Sequence, residues 1–189
     1  MKRLPFLACL VALSSLATIS RADIVYTVDV DVTGVNFNAP FGSPANETLL
    51  ASIADPLATS PYEIIGFGWD FTLEAFSPSW LSEAVILVSD GDTLTPQFQL
   101  TASGTSSGGV EGLSSGGIVD LVGLGLNFSQ LSSAVHIEFY DSFDDGFSPQ
   151  ATILGGTVTF QIRAAEVPEP SALALLGLSS IGLVLRRRR

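Results

Sequence analysis

Cysteine and histidine each occur once, as Cys9 and His136, and bases are nearly confined to the two ends. Six of the eight are Lys2, Arg3, Arg186, Arg187, Arg188 and Arg189. One cysteine excludes a disulfide framework, and with one histidine it also excludes Cys/His zinc sites and Cys–His catalysis. A middle almost without bases excludes nucleic-acid binding, because nothing there neutralises phosphate. Charged residues are only 14% of the chain against 47% hydrophobic, too apolar a balance for a disordered polymer. The 189 residues leave room for about one domain once export signals are set aside.

What is present begins with Met1-Lys2-Arg3, a mainly apolar run from Leu4 to Ile19, and Ser20-Arg21-Ala22. A positive start, a hydrophobic middle and small residues at the −3 and −1 positions describe a secretory signal peptide over residues 1–22, cleaved after Ala22. Cys9 lies inside the apolar stretch, too early for lipoprotein processing, and leaves with the peptide. Toward the other end, Val167-Pro168-Glu169-Pro170-Ser171 precedes an apolar run from Ala172 to Leu185 and then Arg186, Arg187, Arg188 and Arg189. From Ser171 to Leu185 a helix is about 22 Å long, short for a bilayer core of about 30 Å. Arginine side chains snorkel and recover part of that mismatch. The positive-inside rule keeps the four arginines cytoplasmic and leaves residues 23 to about 170 outside. Pro168 and Pro170 hold the segment before the membrane extended.

Residues 167–189 resemble the PEP-CTERM sorting signal, which has a Pro-Glu-Pro motif, a short apolar helix and an arginine cluster in that order. The resemblance implies processing by an exosortase, a membrane-embedded cysteine transpeptidase-like enzyme. It implies an inner-membrane precursor whose helix is removed. The finished protein then reaches the cell surface or extracellular matrix of an exopolysaccharide-making bacterium with two membranes. It implies nothing about the activity of the exported part.

Residues 23–166 carry every acid except Glu169, and Arg163 is their only Lys or Arg, for a formal charge of −17. Such a surface repels itself, stays soluble and attracts cations. The hydrophobic period in this part is two. Ile24, Tyr26, Val28, Val30 and Val32 alternate with Val25, Thr27, Asp29 and Asp31. Ile65, Phe67, Trp69, Phe71 and Leu73 form a second apolar set, Val135, Ile137 and Phe139 a third, and Val158, Phe160 and Ile162 a fourth. This is the pattern of antiparallel strands that cover a core on one side. Further strands are expected at Ala84–Ser89, Gln97–Thr101 and Ile118–Asn127, separated by Pro, Gly, Ser and Asp clusters. The expectation is an all-β, antiparallel two-sheet sandwich, with a jelly-roll strand order left open. The proline-rich stretch Asn38–Pro61 is expected to wrap the sandwich, with one helical turn near Glu47–Ala54. The Gly/Ser-rich stretch Ser103–Gly117 reads as a mobile surface loop.

Candidate chemistry is sparse. Gly-x-Ser-x-Gly occurs at Ser106 and Ser114, but no amphipathic helix follows either serine, and His136 is the sole available base. Asp141, Asp144 and Asp145 crowd near Gly146 and offer oxygens to Ca²⁺, although their spacing departs from an EF-hand loop. The competing reading is a solvated turn, and Asp90-Gly91-Asp92 has the same two readings. Trp69, Trp80 and Tyr140 present rings that stack on sugars. Trp69 belongs to a core set, so Trp80 is the better contact. The sequons at Asn46 and Asn127 carry no weight beside a bacterial sorting tail. The sequence therefore points to a non-enzymatic exported protein with a structural or adhesive role beside exopolysaccharide. The alternative is a lectin-like, calcium-assisted carbohydrate-binding module.

Overall fold

A computed structural model of the chain describes residues 22–167. The expected signal peptide up to Arg21, the Pro168–Ser171 part of the sorting motif, the apolar run after it and Arg186–Arg189 lie outside the described residues. Among the described residues no helix is long and apolar enough to cross a membrane.

Alternating apolar residues pair into two antiparallel sheets. In chain order the strands are β1 (Asp23–Asp31), β2 (Asn36–Phe37), β3 (Glu47–Ser52), β4 (Ala58–Ala75), β5 (Ala84–Asp90) and β6 (Pro96–Thr101). They continue as β7 (Gly109–Ser114), β8 (Val119–Asp120), β9 (Phe128–Gln130), β10 (Ala134–Asp141) and β11 (Ala151–Glu166). The first sheet runs β1-β11-β4-β7, with β2 on β11 and with β8 and β9 on β4. The second runs β3-β10-β5-β6. Neither sheet closes into a barrel. The chain passes from sheet to sheet at each connection except the β5–β6 hairpin and the short steps within β1–β2 and β7–β9.

The inward faces match the alternation. Val135, Ile137, Phe139, Val158, Phe160 and Ile162 are fully buried. On the edge strand β1, Ile24, Tyr26, Val28 and Val30 are half-buried against the same core. The sheets are tied by aromatic contacts. Phe98 of β6 stands 5.2 Å from Phe67 of β4 with the rings near edge-to-face, and Phe67 lies 5.2 Å from Phe160 of β11. Phe37 meets Phe139 edge-on at 5.7 Å. Such pairs contribute about 0.5–1.5 kcal/mol each beyond their buried area.

Several sequence expectations are corrected. In β4 the bulge opposite Gln161/Ile162 makes Ile65 the extra residue, so parity flips and Ile64, not Ile65, is fully buried. Glu47–Ser52 is a strand rather than a helical turn, because pairing with β10 over Ala134–Phe139 overrides local helix propensity. Part of the Gly/Ser-rich loop is β7, which lies along Asp70–Ala75 of β4. Ile118–Asn127 is not a continuous strand. A single helical turn, α1 (Leu121–Leu124), breaks it, started by the Asp120 carboxylate on the Val122 N–H and stopped by Gly125 at φ 69°. The proline-rich segment does wrap the sandwich. It crosses the outer face of the second sheet, where buried Glu138 accepts the Gly42 N–H at 3.0 Å and the Asn46 amide at 2.8 Å.

β11 is bulged at Leu154–Gly156, and Gly156 takes φ +133°. A Cβ there would lie 2.3 Å from the Asp70 carbonyl oxygen and 2.4 Å from the Phe71 Cα, both in the paired strand. Backbone cannot yield as a side-chain tip does. Gly156→Ala is therefore expected to destabilise the full-length chain by more than about 2 kcal/mol. Gly112→Ala in β7, where no atom lies within 4 Å, is expected to cost less than about 1 kcal/mol. Chemical denaturation of both variants checks this.

Candidate functional site

β10 ends at Asp141, and the period of two that sends Val135, Ile137 and Phe139 inward sends this carboxylate inward as well. Asp141 is 0% exposed. Its Oδ1 accepts the Phe143 N–H at 3.0 Å, while its Oδ2 is buried with no hydrogen-bond partner. Two more polar side chains, Ser79 and Gln150, are also fully buried. The Ser79 hydroxyl reaches Asp145 Oδ2 at 2.5 Å and Gln150 Oε1 at 3.3 Å. The Gln150 amide nitrogen donates to the Asn38 carbonyl at 3.2 Å and to Asp144 Oδ1 at 3.4 Å. Glu83 sits beside them, its backbone carbonyl holding the Ser142 N–H at 2.8 Å.

The structure thus joins Asp144 and Asp145 through Ser79 and Gln150, while the Asp141 carboxylate feels their charges but shares no hydrogen bond with them. The sequence did not reveal Ser79, Glu83 or Gln150, since Ser79 and Asp145 are 66 positions apart. Burial pushes the Asp141 carboxyl up from 3.8 to about 6, and the charges of Glu83, Asp145 and Asp144 add to this against one backbone N–H that lowers it. Among the described residues no three His, Cys, Asp or Glu side chains stand close enough together to hold a metal ion.

The other candidates are placed separately. Ser106 is exposed, and Ser114 accepts the Gly116 N–H at the end of β7. His136 projects from β10 on the outer face of the other sheet, and no hydrogen bond joins it to either serine. Asp90 closes the β5–β6 turn, where the Thr93 hydroxyl and backbone N–H hold its carboxyl below the usual range. Asp92 accepts the Ser132 N–H at 3.0 Å. Both aspartates thus act as turn residues. Trp69 is half-buried on Phe67 at 6.1 Å. Tyr140 is buried beneath Phe41, 5.6 Å away, which removes its ring from any sugar. Trp80 is 45% exposed.

The last residues of β11 meet the remaining sequence feature. Glu166 ends the strand, and the Val167 N–H still donates to the Leu57 carbonyl at 3.0 Å. A family model described as the PEP-CTERM protein-sorting motif matches residues 166–189. The chain carries a PEP-CTERM sorting motif. That motif marks an exported protein processed by an exosortase, with a membrane-anchored precursor before cleavage. No curated protein matches the chain. Among solved structures it is similar to that of the infectious bursal disease virus Gx strain, with 11% identity and a TM-score of 0.35. That match covers 79% of this chain and 34% of the viral one. A T13 particle of the same virus matches with 11% identity and a TM-score of 0.32, over 76% of this chain and 35% of that one. The PEP-CTERM chain spans about a third of the length of these viral chains.

A carboxyl whose pKa is raised on folding contributes stability at low pH that is lost as pH rises through the folded value. The stability associated with Asp141 is therefore expected to fall between pH 3.8 and about 6. Above that window Asp141→Asn is expected to be more stable than the parent chain by on the order of 2 kcal/mol, with the difference vanishing near pH 3. Denaturation in chelator-containing buffers at pH 3 and pH 8 measures this.

Proposed function

We propose that this chain is a non-enzymatic exported β protein, delivered by an exosortase to the cell surface or exopolysaccharide matrix of a two-membrane bacterium, where its role is structural or adhesive. The sorting motif at residues 166–189 carries this reading. The rest of the chain is consistent with it. The signal-peptide pattern of residues 1–22 and the short apolar run before Arg186–Arg189 give one topology. The exported fold has the strand order of a jelly roll. With β1–β2 and β7–β9 each taken as one interrupted strand, eight strands form two sheets of four, and each sheet interleaves early and late strands. Among the described residues no hydrogen bond joins Ser106 or Ser114 to a base, which supports a binding or structural role over hydrolysis.

The surface also constrains the partner. Arg163 is paired with Glu63, so the domain has no unpaired arginine to meet an acidic polymer. Contact with acidic polysaccharide would need bridging cations, whereas neutral polysaccharide meets no such barrier. A lectin-like reading is favoured by Trp80, the one exposed tryptophan, on the turn before β5.

Replacing Pro168, Glu169 and Pro170 with alanine is expected to leave the precursor unprocessed in the inner membrane. Fractionation and mass spectrometry of the envelope decide it, and normal maturation of that variant would overturn the sorting reading. Trp80→Ala is expected to weaken retention on a neutral polysaccharide column at least tenfold if the lectin-like reading holds. Unchanged retention would remove that reading.

A further inference from the structure

Strand β4 places two glycines, Gly66 and Gly68, on the outer face of the first sheet, since Phe67 and Phe71 face the core. A glycine inside a strand gives up packing and marks a place where backbone or a ligand comes close. Gly66 is explained within the chain, because a Cβ there would lie 2.4 Å from Ile118 Cγ2. At Gly68 the neighbours stand further off, the Gly117 carbonyl oxygen at 3.0 Å and Ile118 Cδ1 at 3.1 Å. Beside Gly68 a cleft of about 270 Å³ opens, lined also by Asp70, Ser114, Ile118, Thr157 and Thr159.

The strand register sets the walls of this cleft. Asp70 lies opposite Thr157 of β11 on one side and opposite Ser114 of β7 on the other. Opposite residues share a face, so the three polar side chains form one row across the sheet. The next row begins with Thr159, which lies opposite Gly68, and the missing side chain of Gly68 leaves a notch there. On the far side of the notch Ile118, 39% exposed, rests over Gly66. The rim is held in place by the Ser115 hydroxyl, which accepts the Trp69 N–H at 2.9 Å and donates to the Gly117 carbonyl at 2.6 Å. One wall is therefore polar, the other apolar and the floor bare backbone.

The polar wall selects the chemistry. The exposed Asp70 carboxylate only accepts hydrogen bonds. The Ser114 hydroxyl accepts the Gly116 N–H at 3.1 Å and keeps its own hydrogen to donate. The Thr159 hydroxyl donates to Asp29 on β1 at 2.6 Å and keeps its lone pairs. An anion would meet Asp70 with no base to offset it, because Arg163 is paired with Glu63. A wholly apolar ligand would cover Asp70 and leave it without water or a partner. A molecule with hydroxyls on one edge and C–H groups on the other meets both walls. We infer that this notch binds one neutral sugar ring, whose hydroxyls bond Asp70, Thr157 and Ser114 while Ile118 packs on its C–H groups. Small-molecule sites run from about 300 to 1,000 Å³, so a cleft just below that range takes a single ring. The inference goes beyond the lectin-like reading drawn from Trp80, which does not line the notch.

The test uses the full-length chain in a zwitterionic detergent without sugar head groups. Glucose, galactose and mannose are the probes, with galacturonate as the charged comparison, and binding is titrated by calorimetry and ligand-observed NMR. At least one of the three neutral sugars is expected to bind saturably, and galacturonate at least tenfold more weakly. Asp70→Asn is expected to weaken that binding at least tenfold, the loss of a hydrogen bond to a charged group. Trp80→Ala is expected to leave it unchanged, which separates this site from the Trp80 reading. Should Asp70→Asn fail to fold, Thr157→Val, expected to weaken binding severalfold, decides in its place. No saturable binding of any neutral sugar, equal binding of galacturonate, undiminished binding in the deciding variant, or loss of binding in Trp80→Ala would each overturn the inference.

Discussion

The pairing of β4 with β11 is the constraint on which the remaining structure depends. The two longest strands, of 18 and 16 residues, run antiparallel from the Ala58–Glu166 pair to the Ala75–Ala151 pair. β1 and β2 attach to the far side of β11, and β7, β8 and β9 attach to the far side of β4. The first sheet is therefore an elaboration of one ladder. That ladder is not uniform. It is interrupted between Ile153 and Gly155, between Gln161 and Ile162, and between Ala164 and Ala165. The first two each insert one residue and so reverse the facing of all that follow, because a strand's period is two, whereas the third inserts the pair Ser60 and Pro61 and leaves the facing unchanged. Gly156 allows the first of these to form against the Asp70–Phe71 backbone without a clash.

This explains what was legible in the sequence and what was not. β1, β10 and the later part of β11 read correctly because they contain no extra residue between their inward positions. Ile65 misled because an apolar residue at the right spacing looks inward until the bulge is known, and a bulge depends on the partner strand. β3 is an edge strand, with Leu50 68% exposed, so its composition carried little strand signal and Ala and Leu suggested a helix. β7 is also an edge, and only Leu113 of its residues is buried. A strand that buries one side chain can be built of glycine and serine, which otherwise mark a loop. The candidate site was half visible. Its three aspartates are neighbours in sequence, but Ser79, Glu83 and Gln150 enter through the sheet crossings, which no local pattern encodes.

The two acidic turns show why residue type alone does not define a site. In Asp90-Gly91-Asp92 the carboxylates are met by Thr93 and by the Ser132 N–H, and neither has an oxygen buried without a partner. In Asp141–Asp145 the local N–H groups of Phe143 and Gly146 meet one oxygen each of Asp141 and Asp144. The second oxygen of Asp141 is buried without a partner because β10 delivers it between the sheets rather than to solvent. The strand's parity, set by the core residues Val135, Ile137 and Phe139, creates the unmet charge. Packing and electrostatics are thus coupled at this position. A one-residue shift of β10 would empty the core and expose Asp141 together.

The same ladder bears on sorting. β11 ends at Glu166, and the motif that directs processing begins at the same residue. Ala164, Ala165 and Glu166 are still paired with Tyr62, Thr59 and Ala58. Val167 remains tied to Leu57, so no flexible spacer separates the sheet from the motif. An enzyme acting on the motif works against the end of an ordered strand. A cut beyond Val167 leaves every pair of the ladder in place, since none of β11's partners lies past that residue.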